Sequence, residues 1–424
     1  MFTRRALLAQ AAFLAAGCSF LDSSTEAPRP RQEASLNWAV SDFFASLAVS
    51  QGMSALEKYR RAVAELAEDE DNPHGFARGR YSVALRRIGT WPDRDDFAAL
   101  LDDLEADLVT VGSYDAQALG ESGVLLPLDR FSGAEGRPFD QVFYPNVLAQ
   151  FQRGALYALP VGVRPQVLYY DAARFRREDV PPPDGSWNWE ALIANAAKLT
   201  ERRADGAVAR WGLATHSNGL WWALWQNEAD VVDLDTLQCR LQEPAAFAAL
   251  EFFRDLVHTY RVSPPLYRDL DTLIYEWGTP PAMVYNFPPK RPSAGEFRIA
   301  AIPRGQVRAV PVYGELGIAI AARTADPDAS YRALQGLTNV MQQYVNVPAQ
   351  KEAVANLGNY RKDLRPEEVA ALQQSMEHGH GWPQTGFQYR AMRYLVEALV
   401  DGEDVASVVN QACSIVREYQ QNDG

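Results

Sequence analysis

The chain has 424 residues, of which 47% are hydrophobic, 22% are charged and 11% are aromatic. A chain of this length can bury more than one hydrophobic core, since single domains usually comprise about 100 to 200 residues. Its formal net charge of -13 repels phosphate groups, so we expect no nucleic-acid partner.

The N-terminal segment resembles an export signal. Arg4 and Arg5 precede an uncharged apolar run at 6–17, which is shorter than the about 20 residues that a membrane-spanning helix needs. The run ends in Leu-Ala-Ala-Gly-Cys, similar to the lipobox of bacterial lipoproteins, although alanine stands at the usual leucine position. We expect 1–17 to be a signal peptide and Cys18 to be lipidated; simple cleavage or a short buried helix is the alternative.

The segment around Arg4 and Arg5 also resembles the twin-arginine export motif. Residues 18–34 are rich in Ser, Pro, Arg and Glu, which predicts a flexible tether. Loss of Arg4 and Arg5 with the signal takes the formal charge from -13 to -15. We expect an exported protein, lipid-anchored at the cell envelope, either periplasmic or on the outer face of the cytoplasmic membrane.

Cys239 and Cys413 are the two cysteines beyond Cys18. An exported compartment permits a disulfide between them. The sequence does not show whether they meet, so a bond and two buried thiols both remain open.

Strand-like and helix-like segments alternate early in the chain, which predicts a largely parallel sheet covered on both faces. The expected strands lie at 35–40, 81–88 and 106–112, and the expected helices lie at 54–68, at 95–104 and from 115 onward. Extended stretches at 156–163 and 166–170, punctuated by Gly162 and Pro165, are typical of a crossing between two lobes.

The later pattern continues this alternation. It predicts helices at 189–199 and 243–260, strands at 282–285, 297–302 and 317–321, and helices from 328 onward. A loop is expected at 378–383. No internal repeat of fixed period is present.

The order of these segments, from about Leu36 to Glu418, resembles the extracellular solute-binding proteins of bacterial ABC importers, in the group similar to maltose-binding proteins. Four groups of segments carry the resemblance: 107–114 with 118–129; 157–163 with 167–171, 181–182 and 187–192; 221–227 with 230–233 and 282–286; and 314–321 with 326–327. No single stretch is diagnostic. The resemblance rests on the joint order and spacing of all four groups.

The resemblance implies an α/β chain with the two-lobed periplasmic binding protein type II fold and a ligand cleft between the lobes, which closes on its ligand. Lobe one would comprise 35–160 and 312–345, and lobe two 161–311 and 346–424. The implied partners are a small solute, with a carbohydrate as the first choice, and the ABC permease subunits.

Aromatic rings suit the apolar faces of sugars, and side-chain donors and acceptors suit their hydroxyls. At positions that match the family, we expect these ligand-binding residues: Trp38, Trp91, Ser113, Tyr114, Arg164, Trp221, Trp222, Tyr285, Asn286, Tyr313, Glu315, Phe387 and Tyr389. The alternatives are a core position for Trp38, a lobe edge for Trp91 and an ion pair between Arg164 and Glu315. Trp222→Ala should weaken binding with little loss of stability.

Sequence motifs for catalysis are missing: the chain has no HExxH, no paired CxxC and no Walker-type phosphate loop. His378 and His380 lie among glycines and favour a turn over a metal site. We therefore expect no enzyme activity, no cofactor and no metal. A secreted glycan-active enzyme is one alternative, because the two acids of a glycosidase have no fixed spacing; a solute-binding sensor component is the other.

Overall fold

The computed structural model describes residues 34–44, 52–68, 81–133, 137–215, 220–233, 236–265, 280–288, 295–382 and 386–422. The predicted signal peptide, Cys18 and the tether up to residue 33 lie outside them. Within these ranges, no helix is long and apolar enough to cross a membrane.

The described strands alternate with helices along most of the chain. The strands are β1 (Ala34–Val40), β2 (Tyr81–Arg87), β3 (Leu108–Val111), β4 (Gln152–Arg153), β5 (Ala155–Leu156), β6 (Ala158–Pro165), β7 (Val167–Asp171), β8 (Glu201–Arg202), β9 (Val208–Arg210), β10 (Leu213–Ala214), β11 (Met283–Asn286), β12 (Phe297–Ala300), β13 (Val310–Ile320) and β14 (Gly379–Gly381).

The described helices are α1 (Ala55–Glu68), α2 (Phe97–Asp103), α3 (Ser113–Glu121), α4 (Phe139–Val142), α5 (Pro145–Leu148), α6 (Ala172–Arg177), α7 (Trp189–Leu199), α8 (Leu220–Gln226), α9 (Pro244–His258), α10 (Pro327–Met341), α11 (Lys351–Ala355), α12 (Leu357–Tyr360), α13 (Pro366–Glu377), α14 (Gly386–Val400) and α15 (Val405–Asn422). The helices that the sequence predicted agree with the observed ones to within a few residues, whereas α4, α5 and α6 had no predicted counterpart. Local caps explain sharp starts: Asn188 accepts from the Ala191 amide before α7, and Asp326 accepts from the Ala329 amide before α10.

The first sheet has the order β2-β1-β3-β13, with β6 on the other side of β13. β1, β2 and β3 are parallel, as predicted, whereas β13 runs antiparallel to β3 and β6. β6 and β13 are the two strands that continue toward the second sheet, and we call them the crossing strands.

The second sheet has the order β10-β11-β7-β12 and is mostly antiparallel. The parallel arrangement expected from alternating elements therefore does not extend to it. The reason is that β7 follows β6 after a single residue, Gln166, and lies between β11 and β12 while running opposite to both.

The two faces of β7 belong to two different hydrophobic clusters, as the two-residue period of a strand requires. Val167 and Tyr169 belong to a cluster that includes the core of the first sheet and residues of α13. Leu168 and Tyr170 belong to a second cluster, built on α7, α8, α9, α14 and α15. The second sheet is thus covered on both faces.

Residues 379–381 form a short strand, β14, rather than the predicted loop. β14 pairs in parallel with Val310–Val312 at the start of β13. Its glycines allow the close approach, since a Cβ on Gly379 would lie 2.6 Å from Asn146 Nδ2 and one on Gly381 would lie 2.9 Å from Asn146 O. The glycines that suggested a turn are therefore needed for close packing.

Cys239 and Cys413 form a disulfide, with their Cα atoms 5.5 Å apart. The bond joins the loop after α8 to α15, and both sulfur-bearing residues pack in or against the second hydrophobic cluster. Of the two possibilities left open by the sequence, the structure contains the bond.

Candidate functional site

The crossing strands carry an ion pair of Arg164 and Glu315. Arg164 on β6 lies opposite Tyr313 on β13, and its Nε lies 3.1 Å from Glu315 Oε1. The side chains are 21% and 7% exposed. The Arg164 guanidinium carbon also lies 5.1 Å from the ring centroid of Tyr313. The ion pair considered as an alternative for Arg164 is therefore present, and ligand contact by either residue stays a prediction.

The backbone at Glu315 is irregular. Gly314 pairs with Val163 and Leu316 with Gly162, so that Glu315 is an extra residue on β13. Such a bulge re-aims the side chain it carries. The glycine before it is required sterically, because a Cβ on Gly314 would lie 2.8 Å from Phe151 Cε2.

Trp382 lies at the centre of an aromatic group beside this ion pair. Its ring centroid is 5.5 Å from that of Phe287, 6.4 Å from those of Trp221 and Tyr313, and 6.5 Å from that of Tyr389. Its amide donates to Val312 O of the crossing strand (3.0 Å). Phe287 in turn lies 5.9 Å from the Arg164 guanidinium carbon. We call these five residues the aromatic cluster.

Trp382 and Phe287 were not among the predicted site residues. Trp382 follows Gly-His-Gly directly, and Phe287 follows the predicted Tyr285 and Asn286. In both cases an aromatic residue adjoins a loop sequence rich in glycine or proline. That pattern could have identified both residues as candidate site residues. The aromatic cluster therefore joins three predicted residues, Trp221, Tyr313 and Tyr389, with two that sequence reasoning missed.

Ser113 and Tyr114 occupy the first turn of α3 rather than the predicted loop, since the helix begins directly after Gly112. Ser113 is buried, whereas Tyr114 is 47% exposed with the Arg94 guanidinium 5.1 Å from its ring centroid. Burial raises the pKa of the neighbouring Asp115, and Arg94 opposes this shift.

Burial and several neighbouring groups shift the pKa of Tyr389. Burial raises it, the hydrogen bond with Trp382 lowers it, and the hydroxyls of Tyr313 and Tyr114 raise it further. Tyr313 and Tyr389 both lie beside Trp382, with ring centroids 6.4 and 6.5 Å from its own, and the Tyr313 ring also lies 5.1 Å from the Arg164 guanidinium carbon.

Four predicted aromatic residues are fully buried in hydrophobic cores: Trp38, Trp221, Trp222 and Tyr285. Trp38 packs edge-on against Tyr59, with centroids 5.1 Å apart, and Trp222 stacks on Tyr285 at 4.8 Å. None of these four rings offers surface to a ligand in this conformation. The core position considered for Trp38 is the one observed, and ligand contact by these residues stays a prediction.

The remaining predicted residues are Trp91, Asn286 and Phe387. Trp91 is partly buried and packs edge-on against Phe44 and Phe97, at 5.7 and 5.0 Å. Asn286 is buried, and its side chain accepts from the Phe287 amide (2.8 Å), which supports the turn after β11. Phe387 belongs to α14, but its side chain lies outside the described residues.

Several buried polar atoms near the crossing strands have no hydrogen-bond partner among the described residues. They include Arg164 Nε, Trp221 Nε1, Ser113 Oγ and both amide atoms of Gln166. Buried polar groups are nearly always hydrogen-bonded, and unpaired ones call for water, an ion or a ligand. These atoms are themselves buried, so a ligand can reach them only after the surrounding side chains move.

His380 lies on β14 and stacks on Trp225, with centroids 4.0 Å apart. The Trp225 indole donates to Asp230 Oδ2 (3.2 Å), and burial raises the pKa of that carboxyl group. In the part of the chain that the structure describes, no group of three or more His, Cys, Asp or Glu side chains could hold a metal ion.

Comparison with known proteins gives a family match and a common fold. A family model described as bacterial extracellular solute-binding protein matches residues 98–344. Among solved structures, a cyclo/maltodextrin-binding protein complexed with maltotetraose has a TM-score of 0.70 at 16% identity, covering 92% of this chain and 97% of its own.

Two further structures span nearly the whole chain. An ABC substrate-binding protein from Listeria monocytogenes in complex with cycloalternan has a TM-score of 0.63 at 16% identity, covering 92% of this chain and 100% of its own. UgpB from Mycobacterium tuberculosis in complex with glycerophosphocholine has a TM-score of 0.64 at 18% identity, covering 91% and 99%. These likenesses show that the two-lobed α/β fold is shared.

Proposed function

The chain belongs to the bacterial extracellular solute-binding proteins, and we propose that it is the substrate-binding component of an ABC importer that captures a sugar or oligosaccharide. The observation that carries the proposal is the aromatic cluster beside the Arg164–Glu315 pair. Tyr389 (37% exposed) and the partly buried Tyr313 offer ring surface to sugar C–H faces, whereas Trp221, Trp382 and Phe287 are buried. The ion pair offers donors and an acceptor to hydroxyls. The maltotetraose and cycloalternan bound to similar folds support the carbohydrate class.

Capture by closure follows from the two lobes proposed above, 35–160 with 312–345 and 161–311 with 346–424. On that division Tyr114 belongs to lobe one and Tyr389 to lobe two, and both side chains are exposed, at 47% and 37%. A solute bound between them contacts both lobes only when they are close together. Its binding energy therefore favours the closed form.

Delivery to permease subunits requires that the protein stay near the membrane. We propose that the exported protein is anchored through lipid on Cys18, with 19–34 as a flexible tether. The disulfide of Cys239 and Cys413 supports an oxidising compartment. The same architecture would serve a sensor component, and genes for two permeases beside the gene of this protein would favour import.

Two exposed tyrosines provide a matched test of the site. Tyr389, in the aromatic cluster, is 37% exposed, and Tyr260, beyond the C-terminal end of α9, is 39% exposed. Tyr389→Ala should weaken binding of the recognised oligosaccharide about tenfold, since aromatic contact residues at binding sites commonly contribute more than about 1 kcal/mol. Tyr260→Ala should leave it unchanged in the same calorimetric titration. Equal affinity in both variants would remove the aromatic cluster from the site.

A further inference from the structure

We propose that Glu315 makes the cleft selective for uncharged polyhydroxylated ligands, because its carboxylate neutralises the guanidinium of Arg164. The inference rests on the proposed function and adds a selectivity to it: a solute that carries a carboxylate or phosphate group is rejected. Glu315 is the residue that sets this selectivity, and Asp115 reinforces it.

The geometry of the crossing strands directs Glu315 at Arg164. Glu315 is the extra residue of the bulge between Gly314 and Leu316, and bulges turn a side chain away from the regular alternation. Its carboxylate is 7% exposed and lies 3.1 Å from Arg164 Nε. Two opposite charges this close and this well shielded from water compensate each other, so the guanidinium offers little net attraction to a second anion.

Asp115 lies next to the bulge, since a Cβ placed on Gly112 would be 3.5 Å from Glu315 O and 3.6 Å from Asp115 Oδ2. Burial raises the pKa of Tyr313, Arg164 opposes the shift, and Glu315 and Asp115 both add to it. Tyr313 is thus within electrostatic reach of one cation and two carboxyl groups. An anionic ligand group at this place would meet like charges beside a guanidinium that is already paired, and such an arrangement discriminates against the ligand.

Hydroxyl groups meet no such obstacle. The Arg164 side chain is 21% exposed, so part of it remains accessible while its Nε lies against Glu315. A guanidinium donates only and a carboxylate accepts only, so neighbouring hydroxyls of one sugar ring can accept from Arg164 and donate to Glu315. The pair therefore recognises adjacent hydroxyls without requiring any charge on the ligand.

The test compares neutral and anionic members of matched ligand pairs by calorimetric titration. The probes are maltotriose and maltotetraose, each with its terminally oxidised carboxylate form, and glycerol with glycerol phosphate. For whichever of these pairs the protein binds, the wild type should bind the neutral member at least about tenfold more tightly than the anionic member. Glu315→Gln leaves Arg164 without its counter-charge and should lower this ratio at least about tenfold.

A surface ion pair of the same chemistry provides the control. Glu121 lies 2.8 Å from Arg153 Nε, and both side chains are about half exposed. Glu121→Gln should leave the neutral-to-anionic ratio unchanged. Asp115→Asn, in the first turn of α3, should lower the ratio in the same direction as Glu315→Gln but by less, and it serves if the Glu315 variant fails to fold.

Three results would overturn the inference. If the wild-type protein binds the anionic member as tightly as the neutral one, the selectivity does not exist, whereas solute binding itself would stand. If the ratio is the same in wild type, Glu315→Gln and Asp115→Asn, the carboxylates do not set it. If no carbohydrate pair binds at all, the proposed function fails and the inference falls with it.

Discussion

Loss of the disulfide should destabilise the protein by an amount that its loop length sets. Cys239 and Cys413 are 174 residues apart. In the chain-entropy account, closing a loop of this length removes enough freedom from the unfolded chain to stabilise the fold by about 5 kcal/mol, and measured losses are typically about 2 to 5 kcal/mol. We expect Cys413→Ser to lower the free energy of unfolding within that range.

Urea unfolding followed by tryptophan fluorescence suits this measurement. Eight of the ten tryptophans lie between Trp187 and Trp382, and Trp187, Trp221, Trp222, Trp225 and Trp382 belong to the same hydrophobic cluster as Cys413. Cys18→Ser in all samples prevents thiol exchange. A reducing agent should lower the urea midpoint of the protein with both cysteines and leave that of Cys413→Ser unchanged. Equal midpoints for the oxidised and reduced forms would refute the reasoning.

Three further predictions concern packing and a buried charge. Trp222→Ala should cost about 3 to 5 kcal/mol in stability, because the ring is fully buried against Tyr285; a stable variant with weakened binding would restore the ligand role suggested by the sequence. Gly314→Ala should lower the free energy of unfolding by about 1 to 3 kcal/mol, since its Cβ would lie 2.8 Å from Phe151 Cε2. Gly89→Ala is the control, because that glycine has open space around it. It should be neutral in the same thermal unfolding experiment. Burial lowers the pKa of Lys58 from 10.5 to about 8. Between these pH values the unfolded chain holds more protons than the folded one, so the free energy of unfolding should rise with pH. Lys58→Met should abolish that rise in urea titrations at pH 8 and pH 10.

The elements that the sequence predicts best are those with strong local signals. α7 begins and ends where predicted because Asn188 caps it and its apolar residues recur at helical spacing. β1 and β2 agree to one residue for a similar reason, since short apolar runs bounded by polar residues favour strands. Such features depend on neighbours in the chain and are therefore readable without the fold.

The parts of the site that escaped prediction depend on distant partners. β14 forms because it pairs with β13 and packs against Asn146. Both partners are distant in sequence, so the residues at 379–381 do not by themselves identify these contacts. Trp382 reaches the site only through that strand, whose end places its amide on Val312 O. The division of the three tryptophans on α8 likewise depends on what each face meets: Trp222 packs on Tyr285, while Trp221 stacks on Trp225 and approaches Trp382.

The most direct test of the whole account is calorimetric titration of the protein with a panel of purified neutral oligosaccharides, with the ligand recovered afterwards and its mass determined. The account predicts that one member binds at a single site and is recovered intact. Absence of binding across the panel, or recovery of shortened products, would contradict it.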